Sequence, residues 1–288
     1  LTKYLSVLLH IHIHPILWLI MGISIMTAHF QSLLILLSII LIHELGHAMT
    51  ARHFNWRLKS IVLLPFGGVA EVEEHGNRPL KEELLTIAAG PLQHIPLQGA
   101  AYLLQASGLF SYETYQLFTF YNVMILLFNL LPIWPLDGGK LLFLLVSMKR
   151  SYQDAHQTML VVSALCLGLY LLIFLVFSPQ QLNVWVIACF LIYSIYMEYK
   201  HRSFVSMRFL LERYYGNQQD PRTLKPIIVD EGESIYQTLL KFRRGCKHPI
   251  IVERNGKKLF ELDENELLHA FFADKRTQST VGELNYDY

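Results

Sequence analysis

Hydrophobic positions in this chain come in long unbroken runs, and only near the C-terminus do they take up the rhythms of a soluble domain. Runs long enough to cross a bilayer lie near Ile11 to Ala28, Leu33 to Ala51, Leu84 to Leu104, Tyr115 to Leu136, Met159 to Phe177 and Val184 to Met197, where a crossing helix needs roughly 20 apolar residues. Basic residues fall in alternate connections. Residues 29–31, 107–114 and 178–183 contain no Lys or Arg, whereas the intervening connections carry Arg52, Arg57, Lys59, Arg78 and Lys81, then Lys140, Lys149 and Arg150, with Lys200 and Arg202 after the last run. Basic loops stay on the cytoplasmic side, so both termini are expected there. The first run lacks a small-residue cleavage site and leads straight into another span, so no cleavable signal peptide is expected.

Beyond Met197 the pattern changes. His201 to Tyr215 reads as an amphipathic helix with Phe204, Met207, Leu210 and Leu211 on one side, suited to the membrane surface. Gly216 to Arg222 is a turn-rich hinge. The stretches LKPIIVD, SIYQTLLKF, HPIIVER, NGKKLFEL and DENELLHAFF then read as strand, helix, strand, strand and helix, with Asp263 as N-cap and Glu266 completing a capping box. The expected architecture is a polytopic α-helical membrane protein of about six transmembrane helices with a C-terminal α/β domain. Its divisions are a transmembrane domain over 1–200, an amphipathic helix and linker over 201–222, and the α/β domain over 223–288.

Composition supports the membrane class: 53% of residues are hydrophobic and 16% charged, against about 25% charged in soluble domains. Net charge is only +1, which leaves nucleic-acid binding without an electrostatic basis. The three cysteines, Cys166, Cys189 and Cys246, define no disulfide framework. His10, His12 and His14 read as interfacial residues at the start of the first helix.

The candidate chemistry sits where polar residues interrupt an apolar run. His43, Glu44 and His47 form the string HELGH within Leu33 to Ala51. On a helix His43 and His47 share a face one turn apart, which suits two imidazoles on one tetrahedral zinc, and Glu44 falls beside the metal as a general base for hydrolysis. Ionisable residues at mid-membrane cost about 2.5 to 3.5 kcal/mol each on insertion scales, so the group calls for a compensating cation. A third ligand is needed at similar depth. Asp137, in NLLPIWPLDGGK, is placed there by the fourth run; Pro132 and Pro135 interrupt its helix and two glycines follow it. The alternative is that Asp137 caps the short apolar helix Lys140 to Met148. A metal or proton transporter would show a polar relay through several spans, whereas the strong polar cluster lies in two. A catalytically inactive scaffold would be marked by loss of Glu44 or a ligand, and none is lost.

HELGH, LDGG at Leu136 to Gly139, the order and depth of their helices, and the small-residue and proline turn Ala88, Ala89, Gly90, Pro91 together resemble the site-two-protease family of intramembrane zinc metalloproteases. The family's Asn-Pro-Asp-Gly is here Pro135, Leu136, Asp137, Gly138, so the missing asparagine's role passes to Asn129 or is absent. The resemblance implies Zn2+ held by His43, His47 and Asp137, Glu44 as the catalytic base, and Asn129 and Pro135 beside the substrate. Asn129 lies two helical turns before Asp137 and is placed to face the same cavity. Leu58 to Glu73 reads as a hairpin around Pro65, Phe66, Gly67 and Gly68. It is either an ordinary cytoplasmic hairpin or, as the resemblance implies, a membrane-dipping loop that contacts substrate, with Phe66 at its tip and an edge open to strand addition.

Resemblance to the sporulation branch of that family further implies cleavage of a membrane-associated sigma-factor precursor near the cytoplasmic face, membrane-embedded inhibitor proteins, and a site in the mother-cell membrane around the forespore. The C-terminal segment resembles a single CBS motif. Such motifs pair to form an adenine-nucleotide cleft, so the resemblance implies ATP sensing and a homo-oligomer paired through this domain; the alternative is a domain used only for docking or assembly.

Overall fold

The computed structural model describes residues 11–13, 15–27, 30–64, 67–72, 78–177, 179–216 and 223–284. Its elements are β1 (Ile11–Ile13), α1 (Pro15–Met26), α2 (Phe30–His53), β2 (Leu58–Leu64), β3 (Gly67–Val72), α3 (Leu80–Ala106), α4 (Tyr112–Asn129), α5 (Asp137–Ser147), α6 (Tyr152–Phe177), α7 (Leu182–Tyr215), β4 (Ile227–Asp230), α8 (Ile235–Leu240), β5 (Ile250–Arg254), β6 (Lys257–Leu262), α9 (Glu264–Phe272) and a 3₁₀ turn, Val281–Leu284. Among the described residues three helices, α2, α6 and α7, are long and apolar enough to cross a membrane. Along α6 the side chains of Val161, Leu165, Leu169, Leu172, Leu175 and Val176 are exposed, a surface that water would not tolerate and lipid would.

The segment expected to open the bundle as a helix from Ile11 divides in two. Ile11–Ile13 pairs in parallel with β2, and the helix that follows has 12 residues, about 18 Å at 1.5 Å per residue. At the other end, the last apolar run and the amphipathic stretch form one continuous helix, the 34-residue α7. At about 50 Å this is well beyond a hydrocarbon core of ~30 Å.

The chain divides into two compact units. In the first, built from the elements up to the start of α5 together with Ser163–Tyr193, α2 packs closely on α3. A Cβ at Gly46 would stand 2.7 Å from Ala89 O, so only glycine admits that approach. Leu17, Ile39, Ile40, Ala101, Phe118 and Ile125 form the core beneath. Trp56 Nε1 donates to Glu82 Oε2 at 2.9 Å and ties the end of α2 to the first turn of α3. The hairpin expected after α2 is present: β2 and β3 pair antiparallel in a three-stranded sheet of order β1-β2-β3. Ala88 to Pro91, expected as a turn, lies inside α3, which runs through both Pro91 and Pro96, as membrane helices tolerate.

The second unit comprises Leu142–Val162 and the chain from Ser194 onward, with 75–79. Its C-terminal module has the expected order of strand, helix, strand, strand and helix. β5 is central, parallel to β4 and antiparallel to β6. Ser234 caps α8, and Asp263 and Glu266 form the expected capping box on α9. Phe242, Ile235, Leu239, Ile250, Val252, Leu267 and Leu268 are fully buried, and Phe209 and Leu210 of α7 and Tyr152 of α6 belong to the same core. Tyr152 stacks on Phe209 at 4.1 Å. The final turns of α7 are thus built into the module, although the sequence places a hinge after them. Most of that hinge, 217–222, lies outside the described residues.

Candidate metal centre and active site

His43 and His47 lie one turn apart on α2, and Asp137 opens α5. All three are buried. Helix α4 ends at Asn129 because Pro132 disfavours helix in the residue before it, and seven irregular residues lead to Asp137. Gly138 then packs so tightly on Leu130 that a Cβ would overlap its carbonyl oxygen. Trp134 N donates to Ser163 Oγ on α6 at 2.9 Å, fixing the loop. Asp137 does not spend its carboxylate on capping: Oδ2 stands 3.0 Å from His43 Nε2 and 3.1 Å from His47 Nε2, while Lys140 Nζ lies 3.4 Å from Oδ1. The two Nε2 atoms are 3.1 Å apart.

Three ligand atoms therefore form a near-equilateral triangle. Tetrahedral zinc with bonds of ~2.0–2.1 Å places its ligand atoms roughly 3.3–3.4 Å apart, so the triangle fits that ion. The hydrogen-bond chemistry fits as well. His47 Nδ1 faces the carbonyl of Thr86 at 2.7 Å, an acceptor, so that nitrogen carries the proton and Nε2 presents a lone pair to Asp137. His43 Nε2 presents a second when its ring proton is on Nδ1, which faces His94 Nε2 at 3.1 Å. Two lone pairs and a carboxylate oxygen converge without a proton among them, which is how a divalent cation site is arranged.

Glu44 is buried beside the cluster. The backbone of β3 passes directly over it: a Cβ at Gly68 would meet the Glu44 side chain, with Oε1 at 3.0 Å. Gly90 of α3 lies against the histidines, and a Cβ there would overlap His47 Nε2 and stand 2.8 Å from His43 Nε2.

Of the residues singled out in the sequence, the structure brings His43, Glu44, His47, Asp137 and Gly68 together. Gly67 begins β3, and Pro135 is half-buried in the loop before Asp137. Phe66 lies outside the described residues. Asn129 shares no helix face with Asp137, because the helix stops between them, and its amide donates back to Ile125 O at 3.1 Å. The sequence reading missed His94, Asn122 and Gln98. His94 Nε2 is 3.1 Å from His43 Nδ1, and Asn122 Oδ1 is 2.7 Å from His94 Nδ1. Polar residues in apolar helices were the available signal, but nothing in their spacing connects α3 to α4. The polar cluster thus spans four helices rather than two.

The site defines a membrane-embedded metallohydrolase. The model of Peptidase family M50 matches residues 31–111 and 106–173, and the chain belongs to that family, the site-2 proteases, as an intramembrane zinc metalloendopeptidase. It is 53% identical over 288 residues to Stage IV sporulation protein FB of Bacillus subtilis, with 100% of each chain covered. It is 35% identical over 162 residues to a zinc metalloprotease of Methanocaldococcus jannaschii, covering 53% of this chain and 46% of that one. The solved structure of a site-2 protease from the same archaeon matches with a TM-score of 0.52 and 27% identity, over 65% of this chain and 89% of the other.

Proposed function

We propose that His43, His47 and Asp137 hold the zinc, that Glu44 is the base, and that the substrate is a membrane-associated sigma-factor precursor cleaved near the cytoplasmic face during sporulation. The observation that carries the site assignment is the convergence of two imidazole lone pairs and one carboxylate oxygen beside a buried glutamate. Bound zinc supplies Lewis acidity to water and to the scissile carbonyl. Glu44 takes the proton from the attacking water and returns it to the leaving amine.

A helical substrate hides its peptide groups in its own hydrogen bonds and must be held extended to be cut. Among the described residues β3 has no partner on its outer edge, and Gly68 sets that strand against Glu44. A substrate strand added there brings its carbonyls to the base. Gly67, Gly68 and Phe66 of the hairpin, with Asn129 at the last position of α4 and Pro135 of the loop after it, are the proposed substrate contacts.

The rest of the reading follows the likeness to the sporulation protein: about six crossings with both termini cytoplasmic, a mother-cell membrane location around the forespore, and membrane inhibitor proteins as partners. The C-terminal module is a CBS-type domain that takes ATP. Its exposed Leu224, Ile228 and Leu259 suit pairing with a second copy.

The test is co-expression of the chain with a sigma-factor precursor in membranes, beside Glu44→Gln, with zinc measured in both. Cleavage by the intact chain, and full zinc without cleavage in the variant, is the expected result. Cleavage by Glu44→Gln at the normal rate overturns the assignment of the base, and failure of the intact chain to cut while it holds zinc overturns the assignment of the substrate.

A further inference from the structure

His43 has two ring nitrogens, and only one faces Asp137. The other, Nδ1, points away at His94 Nε2, 3.1 Å distant. His94 is on α3, and its own Nδ1 lies 2.7 Å from Asn122 Oδ1 on α4. The direction of this string is fixed by its far end. Asn122 Nδ2 donates to His94 O at 3.0 Å and to Gln98 Oε1 at 3.1 Å, so Oδ1 is the acceptor and His94 Nδ1 must donate. Gln98 is oriented in turn by donating from Nε2 to Thr119 Oγ1 at 2.9 Å and to Tyr115 Oη at 3.3 Å. With its proton on Nδ1, His94 has a lone pair at Nε2, which accepts the proton of His43 Nδ1. His43 Nε2 is then left as a lone pair aimed at the cluster.

From this geometry we infer that His94, held by Asn122, is a positioning residue that fixes the tautomer and ring orientation of the metal ligand His43. The inference rests on the zinc reading of the site and deepens it. His94 and Asn122 are each only 2% exposed. Burying an imidazole and an amide in apolar helices is costly unless their bonds are made, and here every one of those bonds leads to His43 or to the groups that orient the string. His47 is served differently, by the main-chain carbonyl of Thr86. The two ligands are therefore oriented by one side-chain string and one backbone group, and only the first is open to removal by substitution. Partners of this kind affect metal affinity or activity by about 10- to 100-fold in other metal sites.

The experiment measures zinc affinity of the full-length chain by chelator competition, and the visible spectrum of its Co2+ form. His94→Leu leaves His43 Nδ1–H without an acceptor; zinc affinity is expected to fall about 10- to 100-fold, with an altered Co2+ spectrum. His94→Gln, whose amide oxygen replaces the acceptor, is expected to recover most of that loss. Asn122→Leu acts on the same string, so the double variant His94→Leu/Asn122→Leu should bind zinc no more weakly than His94→Leu alone. Independent packing defects would instead add. Unchanged affinity and spectrum in His94→Leu overturn the inference, as does simple additivity. If His94→Leu does not reach the membrane folded, Asn122→Leu alone decides, because unchanged zinc affinity in that variant has the same meaning. Failure of the unsubstituted chain to bind zinc overturns the metal reading itself, which is distinct from normal binding in the chain and the variants alike.

Discussion

Two buried polar clusters in this molecule look alike by composition and behave as opposites. Around Asp137, two lone pairs and a carboxylate oxygen converge with no donor of their own, and Lys140 reaches only the other oxygen. In the C-terminal module Arg213, at the end of α7, is paired with Glu264 on α9, with Nη2 2.7 Å from Oε2. Arg213 also donates to Arg243 O at 2.7 Å and to Cys246 O, and Glu264 Oε2 accepts His248 N–H at 2.8 Å. In that second cluster the Glu264 carboxylate answers the Arg213 charge, and main-chain carbonyls take its further hydrogen bonds. Its role is therefore architectural, joining the last turn of a membrane helix to the start of a module helix, whereas the first has the donor set that could hold a cation. Buried polarity marks a functional site when its hydrogen-bond inventory fails to close.

The largest effects should come from the unbalanced cluster. Glu44→Gln is expected to lower the peptide-cleavage rate about 10²- to 10⁴-fold while retaining zinc. Asp137→Ala should lose both zinc and cleavage, since two imidazoles do not make a catalytic site that needs three protein ligands. Metal analysis together with an assay in membranes separates the two variants. Full zinc content in Asp137→Ala breaks the comparison at its root. Next comes Gly90→Ala, where the new Cβ would overlap His47 Nε2. Zinc content and activity should both drop at least about tenfold, as for other changes that displace a ligand. Gly99→Ala on the same helix has nothing within 4 Å of its Cβ and should leave both unchanged.

How much of this was legible in the sequence varies with the range of the interaction. The pair His43 and His47 is set by helical periodicity, and Asp263 with Glu266 by the geometry of a single helix start, so both read directly. The hairpin and the module's element order rest on short-range pattern and were equally plain. Asn129 was placed beside Asp137 by counting helical turns, and that fails because Pro132 ends α4 first. The string from His94 to Asn122 joins α3 to α4, and the contact of Gly68 with Glu44 joins β3 to α2. Each depends on helix and strand packing that no local period encodes. The continuity of α7 was missed for a different reason: a change from apolar to amphipathic pattern marks where a helix leaves the membrane, not where it ends.

The balanced cluster should respond to asymmetry rather than to loss of charge as such. Glu264→Gln leaves Arg213 buried with its charge uncompensated and is expected to destabilise the module by about 3 to 5 kcal/mol. Replacing both partners, Arg213→Met with Glu264→Leu, should cost less than that single change, although Arg243 O, Cys246 O and His248 N–H lose partners. Hydrogen exchange of β5 and α9 amides reads both. A double variant less stable than the single one would show that the pair contributes more than charge balance. Asp263→Ala, which removes the capping box of α9, should cost about 1 kcal/mol in the same measurement.

The smallest expected effect concerns His248, 1% exposed at the edge of the balanced cluster. Its Nε2 accepts Arg243 N–H at 2.9 Å, so its Nδ1 donates to Lys225 O at 2.8 Å, and the neutral ring fills both roles. Burial holds its pKa below the usual histidine value, and the Arg213 charge pushes the same way. An unfolded chain takes up that proton near pH ~6.5, before the folded one does. The contribution of His248 to stability is therefore fully present above about pH 6.5 and is lost as pH falls toward the depressed folded value, by at most ~1.4 kcal/mol per pH unit. Protection of β5 amides should accordingly decline between about pH 7 and 5 more steeply in the intact chain than in His248→Gln, which has no ring to titrate. Equal slopes would mean that the ring takes up its proton at the same pH in the folded and unfolded chain, and that burial does not hold its pKa down.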